Sequence, residues 1–482
     1  LAARFGSVSL TGPAAFDHYL FLGGTGSGKS TFLRMLMASV LNEPPTLPPA
    51  AFVYDPKREF LPVLEGLGRA QDCVVLNPMD RRCAAWDLSA DFRDPVAVRQ
   101  LAAILTEEPD RGSDENRFFR NAVQDILSAV MSTFIALARE EAAWTLRDVV
   151  LGCIYPAYLD AILAHTRDPY GRLLLPNIRV KQVYFQDADP RTKSNIKASV
   201  QAALAIYEPI AAVWDWAQSR PADQWPRVFS VTRWLEEGLV LVLGNDEGAR
   251  ASLDPINRAI FQRAVEKTLS EPARPSPGAI GRTWFFLDEV REAGKLTLLP
   301  RLLNKARAHS ASVVLAFQDI EGLKEEYGEH VALELVAQCN NKVVLRVDSP
   351  STAEWAASLF GEFLGPEMSF GKNVGPQYSE STHWAKAVRQ NVYTSQVLFL
   401  QRAGPQNGIP GFYKHGEQDP DQPQLAHLAE WATDVAPYLP PASNTAPYQP
   451  HASPDVFSLR PFDSKDWERL GLDGQPPNLM NS

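Results

Sequence analysis

HYLFLGGTGSGKSTFLRML, residues 18–36, decides how the rest of the chain is read. A short apolar run ends in glycines, and Leu33, Leu36, Met37 and Val40 then recur at helical spacing, so the order is strand, loop, helix. Gly23, four residues, then Gly28, Lys29 and Ser30 fit GxxxxGK[ST], the loop that cradles a nucleoside triphosphate. The candidate cradle is Gly23, Gly24, Thr25, Gly26, Ser27, Gly28, Lys29, Ser30 and Thr31. Its glycines let backbone N–H groups close around phosphate oxygens, and the helix N-terminus adds partial positive charge. Lys29 is placed to reach the outer phosphates and Ser30 to offer its hydroxyl to Mg²⁺. The competing account is a chance glycine loop, and the flanking strand and helix weigh against it.

A phosphate loop needs an acidic partner on a neighbouring strand, and TWFFLDEV (283–290) supplies one. Asp288 would hold the metal, and Glu289 would orient or deprotonate the attacking water, a pair better suited to ATP hydrolysis than to kinase chemistry. The alternative, an Asp-Glu pair capping the next helix, stays open here. ASVVLAFQ (311–318) ends in Gln318, whose amide can bond both a phosphate oxygen and the lytic water; a polar residue simply leaving a strand is the rival account. Between Arg291 and Arg307 five basic residues stand against one acid, read as a helix facing phosphates or as a solvated face. Arg307, at its far end, is suited to reach a neighbouring subunit's site. The turn DPKREF (55–60) reads as ordinary turn chemistry after a buried strand, and the tryptophans, Trp214, Trp216 and Trp225 among them, as core anchors before stacking platforms.

Outward from these motifs, further apolar runs at AFVYDP (51–56), CVVLNP (73–78), GLVLVLGND (238–246) and NKVVLRV (341–347) alternate with helical stretches. Strands buried on both faces and separated by helices predict an α/β fold with a mainly parallel sheet. From Trp86 to about Val228 the pattern becomes helical, with RVKQVYF as a single weak strand candidate, so residues 88–228 are expected to be an all-α insertion. The nucleotide-binding domain is then discontinuous, 1–87 and 229–416, with YTSQVLFLQRAG (393–404) and GIPGFY (408–413) as returning edge strands. Residues 417–482, rich in proline and acid, are expected to be an irregular tail or a wrap-around arm.

The formal charge of -10 argues at first against a polyanion partner, but the tail from Glu417 holds ten acidic residues against three basic ones. The remaining 416 residues are therefore nearly neutral and can still line a basic channel. Cys73, Cys83, Cys153 and Cys339 stand far apart, which excludes a disulfide framework or a zinc site and predicts buried thiols in a reducing compartment. No apolar run reaches membrane-spanning length, and the chain begins at Leu1.

The ordered set YLFLGGTGSGKST, VYDPKREF, LNPMDRRCAAWDL, FSVTRWLEEG, FFLDE, KARAHSASVVLAFQD and NKVVLRVDSPSTAEWAASLFGE resembles the coupling ATPases of type IV secretion and conjugation, RecA-like DNA translocases related to FtsK and HerA. The likeness spans residues 18 to about 415. It implies a RecA-like P-loop domain with an inserted all-α, DNA-recognising domain, and a homo-hexameric ring with ATP and Mg²⁺ between subunits. By motif position Lys29, Ser30, Asp288 and Glu289 take the nucleotide roles, Gln318 the sensor and Arg307 the finger reaching the next subunit. It further implies single-stranded, sequence-nonspecific DNA, relaxase or effector proteins and secretion-channel components as partners, at the cytoplasmic face of a bacterial inner membrane. Family members carry an N-terminal membrane anchor, and none is seen in these residues, so the expectation is either a trimmed fragment or a cytosolic branch; a cytosolic HerA- or FtsK-like DNA motor and a nucleotide-regulated docking scaffold are the alternatives. Two departures stand out: the family usually has glycine where Arg58 stands, and a proline-containing loop where this chain has VREAGKL.

Overall fold

The strand and helix expected around the glycine loop are present as Tyr19–Leu22 and Lys29–Leu41, every residue of the strand being buried. The computed structural model describes residues 2–42, 48–107, 114–137, 144–221, 223, 225–270, 282–374, 378–415, 427–441 and 443–479. These gather into two bodies, Leu1–Pro49 with Ala273–Pro441 and Ala50–Pro272 with Ala442–Ser482.

In the first body the strand order is His427–Ala429, Ile409–Lys414, Asn341–Val344, Tyr19–Leu22, Ala311–Phe317, Thr283–Leu287. The last four are mutually parallel, and the first two join antiparallel at the other side. TWFFL and ASVVLAF are buried at every position, which is why they read as continuous apolar runs and not as alternating ones. Pairing of Phe317 with Leu22 and of Leu315 with Leu287 brings three carboxyl ends to one edge, so Gly23, Gln318 and Asp288 leave the sheet together. A hairpin, Ala2–Phe5 with Val8–Thr11, lays the Phe5 ring edge-on to Phe21 and Phe32 at 5.7 and 6.2 Å.

Two expectations for this body need correction. YTSQVLFLQRAG is not a strand: Thr394–Leu398 is a short helix, started by a reciprocal cap between Tyr393 and Gln396, with Val397 as its buried residue. The stretch before it, which carries no expected strand, is a long ribbon in which Glu362–Val374 pairs antiparallel with Tyr378–Gln390. GIPGFY does form the expected edge strand, as Ile409–Lys414.

The second body holds Ala50–Tyr54, Val240–Leu243 and Cys73–Val75, parallel, with Val240–Leu243 between the other two. Trp234 donates its indole N–H to the Ala51 carbonyl at 3.0 Å and so ties helix Val231–Glu237 to this group. From Pro95 to Ser219 the described chain is helical apart from its connections. Its helix starts follow local chemistry: Asp94 and Asp189 cap helices that open with proline, and Thr145 forms a reciprocal box with Asp148. RVKQVYF, the weak strand candidate, is helical, because Val180 and Tyr184 face inward four residues apart where a strand would need alternation.

Residues 443–479 lie as an arm on this second body, 427–441 of the expected tail belong to the first body, and 417–426, 442 and 480–482 fall outside the described residues. Phe462 and Trp467 pack on Tyr158 with ring centroids 4.9 and 5.8 Å apart. Arg147, 1% exposed, donates to Asp466 at 3.0 Å and to the Arg460 and Pro461 carbonyls at 3.0 and 2.8 Å. Arg469 meets the buried Asp148 with two bonds of 2.9 Å. Burial pushes the Asp466 carboxyl up, but the Arg460 and Arg147 guanidiniums outweigh it and hold its pKa well below the usual range.

Candidate nucleotide-binding site

The glycine loop hangs from two neighbouring strands. The Gly23 N–H donates to the Phe317 carbonyl at 3.2 Å and the Gly24 N–H to the Arg346 carbonyl at 2.8 Å. Gly28 opens the helix at φ 96°, in the left-handed region, and a Cβ there would sit 2.6 Å from Ile409 Cγ2. At Gly23 a Cβ would fall 2.4 Å from Ser27 Oγ. The motif's first and last glycines are thus demanded by contacts, while Thr25 and Gly26 form the exposed tip.

Lys29 lies 5% exposed beneath the loop. Its ammonium bonds Glu289 Oε1 directly and stands 3.9 Å from Asp288 Oδ1. Gln318 donates its amide N–H to the same Glu289 Oε1 at 2.9 Å. Glu289 has φ 49°, a left-handed conformation rare outside glycine, which turns its carboxylate back toward the lysine. Glu289 precedes the next turn but makes no side-chain cap bond to it, so its side chain does not serve as the cap that the alternative reading of the Asp-Glu pair expects.

The residues fit a nucleotide with a divalent cation. Ser27 Oγ is buried and makes no hydrogen bond among the described residues, a polar atom facing the inside of the loop at Gly23. The carboxylates of Asp288 and Glu289 beside Lys29 supply the hard oxygen donors that such a cation takes.

Arg307 stands apart from this cluster, mostly exposed and 3.3 Å from Asp17. The basic run before it is not one helix. Short 3-10 turns at Val290–Ala293 and Ala306–His309 flank helix Leu299–Lys305, with Gly294 and Pro300 interrupting any longer pattern. Arg291 is drawn off to Glu325 at 2.6 Å, while Lys295, Arg301 and Lys305 are exposed. Asp55 accepts from the N–H groups of Glu59 and Phe60 at 3.0 and 2.8 Å, which is turn chemistry. Trp214 and Trp225 are buried, and all four cysteines are buried free thiols. No group of metal-ligating side chains of the His/Cys/Asp/Glu type is found among the described residues, nor any single helix long and apolar enough to cross a membrane.

Sequence reasoning missed two supports of the loop. Arg346 and Asp348, bonded to each other at 2.9 Å, leave the Asn341–Val344 strand alongside Gly24. The Ala403 N–H donates to the Gly26 carbonyl at 3.2 Å, and Ala403 with Ile409 closes against Gly28. Nothing in either segment's composition marks it as a neighbour of the loop; strand order alone brings them there.

Residues 2–405 match the family described as type IV secretion-system coupling protein DNA-binding domain. The coupling protein TraD of Escherichia coli (strain K12) is 23% identical over 359 residues, which is 74% of this chain and 46% of TraD, so the chain spans about half the length of that relative. Among solved structures, the unbound bacterial conjugative coupling protein TrwBdeltaN70 superposes with a TM-score of 0.66 at 20% identity, covering 93% of this chain and 91% of the other. The plasmid coupling protein TrwB in complex with ADP and Mg²⁺ gives 0.64 at 20% identity, over 94% and 93%.

Proposed function

The chain belongs to the type IV secretion-system coupling protein family, and from that premise we propose that it is an ATP-hydrolysing motor that recruits DNA, or a DNA–protein substrate, to a secretion channel. The observation that carries the reading is the buried convergence of Lys29, Glu289 and Gln318 under the glycine loop, with Asp288 beside them. ATP and Mg²⁺ supply the phosphoanhydride bond and the counter-charge when bound, as the complex of TrwB with ADP and Mg²⁺ illustrates for that relative. The loop amides and Lys29 bind and orient the phosphates; Ser30 and Asp288 hold the metal's coordination sphere. Glu289, relieved of Lys29, holds the attacking water and takes up its proton, and Gln318, already bonded to Glu289, registers that change at the start of helix Ile320–Tyr327.

Arg307 is exposed and remote from its own carboxylates, which supports a role in a neighbouring subunit's site within a homo-hexameric ring. In this reading residues 1–87 and 229–416 bind nucleotide, and 88–228 form the DNA-recognising helical end. The partners are single-stranded DNA without sequence preference, a relaxase or effector, and channel components at the cytoplasmic face of an inner membrane.

The test is steady-state hydrolysis of Mg-ATP with and without single-stranded DNA. A DNA-stimulated rate that disappears in Lys29→Ala supports the motor. Failure of the purified chain to bind Mg-ATP, or turnover untouched by Lys29→Ala, overturns it.

A further inference from the structure

The turn that follows strand Cys73–Val75 is occupied by the chain's own arm in a manner that reads as peptide recognition. Asp80 and Arg82 form a buried two-point ion pair, with bonds of 2.8 and 2.5 Å, and Arg82 also donates to the Ala446 carbonyl at 2.8 Å and to the Pro447 carbonyl at 3.3 Å. The Arg81 N–H donates to the Gln449 carbonyl at 2.8 Å, and the Gln449 N–H donates to Asp80 at 3.2 Å, a single antiparallel bridge to an otherwise irregular segment. These bonds read main chain.

Side chains are read as well. The Tyr448 ring lies under the Arg58 guanidinium at 4.2 Å, and its hydroxyl donates to the Met79 carbonyl at 3.0 Å. Arg81 Nε donates to the Gln449 amide oxygen at 2.7 Å, and Glu65 accepts from the Ser443 hydroxyl and the Thr445 N–H. Pro447 and Pro450 bracket the Tyr-Gln pair and are exposed, so they pre-set an extended backbone without filling a pocket. Arg58 itself holds φ 60°, a conformation suited to glycine, while its side chain also donates to the Asn245 carbonyl at 2.7 Å and to Asp246 at 2.8 Å. The residue that departs from the family pattern is thus the one that stacks on the arm.

The arm has two attachments of different kind. Downstream, Asp466, Trp467 and Leu470 are buried and locked by paired charges. Upstream, residues 443–451 are half-buried or exposed and held by hydrogen bonds to a turn. A firmly tethered segment beside an openable one is the arrangement of a built-in competitor, whose local concentration sets the threshold for an outside ligand.

We propose that Glu65, Arg58 and the turn Asp80–Arg82 form a docking groove for an extended, proline-flanked Tyr-Gln peptide presented by a partner protein, and that Ser443–His451 fills this groove as an exchangeable strap. The proposal goes beyond the nucleotide reading and stands whether or not the chain hydrolyses ATP. The probe is a fluorescent synthetic peptide of residues 442–451, added to the full chain and to a full chain carrying Tyr448→Ala with Gln449→Ala, which loosens the strap and leaves the downstream attachment intact. The loosened chain is expected to bind the probe at least tenfold more tightly than the unaltered chain, and adding Arg58→Gly to it, a change its φ favours, is expected to weaken binding about fivefold. Equal binding by unaltered and loosened chains, no binding by the loosened chain, or indifference to Arg58→Gly overturns the proposal. Hydrogen exchange on the unaltered chain gives a second reading free of any variant. Amides of 444–449 are expected to exchange at least tenfold faster than those of 466–472, and exchange of both only through global unfolding refutes an openable strap.

Discussion

Two clusters of charge, one in each body, are built on different plans. Beneath the glycine loop the buried Lys29 ammonium lies beside the buried carboxylates of Asp288 and Glu289. Where the arm meets the helices, Arg147, Arg460 and Arg469 interlock with Asp148, Asp215, Asp463 and Asp466, three guanidiniums cross-bonded to four carboxylates. The arm network ties segments more than 200 residues apart in sequence through many cross-bonds, and removing one member leaves others buried short of a partner. The loop cluster is small and sits directly beneath a glycine cradle, where a change of partner costs little of the surrounding packing.

The largest expected effect tests the cluster beneath the glycine loop. Lys29→Ala should lower Mg-ATP turnover by about 10²- to 10³-fold, the range seen when a single preorganised charge-stabilising group is removed. Glu289→Gln keeps an acceptor for Lys29 and Gln318 and should leave nucleotide binding within a few-fold while turnover falls by a comparable factor, measured by equilibrium binding beside the hydrolysis assay. If Glu289→Gln lost binding and turnover together, the carboxylate would be structural and the contrast between the clusters would fail.

The arm cluster should respond in stability instead. Arg147→Ala leaves Asp148 and Asp466 in a buried setting short of a partner and should cost about 3–5 kcal/mol, read as a lowered urea midpoint of the second body. Turnover measured well below that midpoint should stay within about twofold. A loss of turnover without a loss of stability would show the arm cluster to be functional after all.

A third buried group sharpens the contrast from the neutral side. His18, just ahead of the glycine-loop strand, accepts the Val313 N–H at Nδ1 and faces the Leu303 carbonyl with Nε2 at 2.9 Å. Burial lowers its pKa to about 4 from the ordinary 6.5. Because the folded form resists protonation, its contribution is fully present above about pH 6.5 and is lost as the pH falls through about 4, a change of about 3 kcal/mol. Thermal melts from pH 7 to pH 4 should fall more steeply for the unaltered chain than for His18→Gln, and identical slopes would place the acid sensitivity elsewhere.

Much of the first body was legible in sequence because its signals are local. A glycine loop between strand and helix, an apolar run ending in Asp288-Glu289 and another ending in Gln318 each declare themselves within a dozen residues, and parallel strand order then brings them together. The ribbon Glu362–Gln390 was not legible, since Gly365, Pro366 and Gly371 argue against strand while long antiparallel pairing overrides them. An arm was one of two readings of the tail, but its attachments were not legible: its anchors, Arg147 with Asp466 and Arg58 with Tyr448, are separated by more than 300 residues, and a Pro-rich acidic composition conceals the apolar side chains Phe462, Trp467 and Leu470 that bury it. The split of Arg291–Arg307 into short turns escaped a reading that counted charge along a presumed single helix.

The smallest expected effect lies at Arg58 and turns on opposing terms of similar size. Glycine relieves a left-handed backbone worth about 1–2 kcal/mol to a side-chain-bearing residue. It also removes a half-buried ion pair with Asp246 and a guanidinium stacked on Tyr448, together worth about 1–2 kcal/mol, and makes the unfolded chain freer by several tenths. Arg58→Gly should therefore leave global stability within about 1 kcal/mol of the unaltered chain. Tyr448→Phe keeps the stacked ring, loses the bond to Met79 and should cost about 1 kcal/mol. If Arg58→Gly proved strongly destabilising, Arg58 would belong with Arg147 as part of the assembly; a neutral result with loosened amides at 445–449 assigns it to the strap, where contacts hold a segment in place without holding the body together.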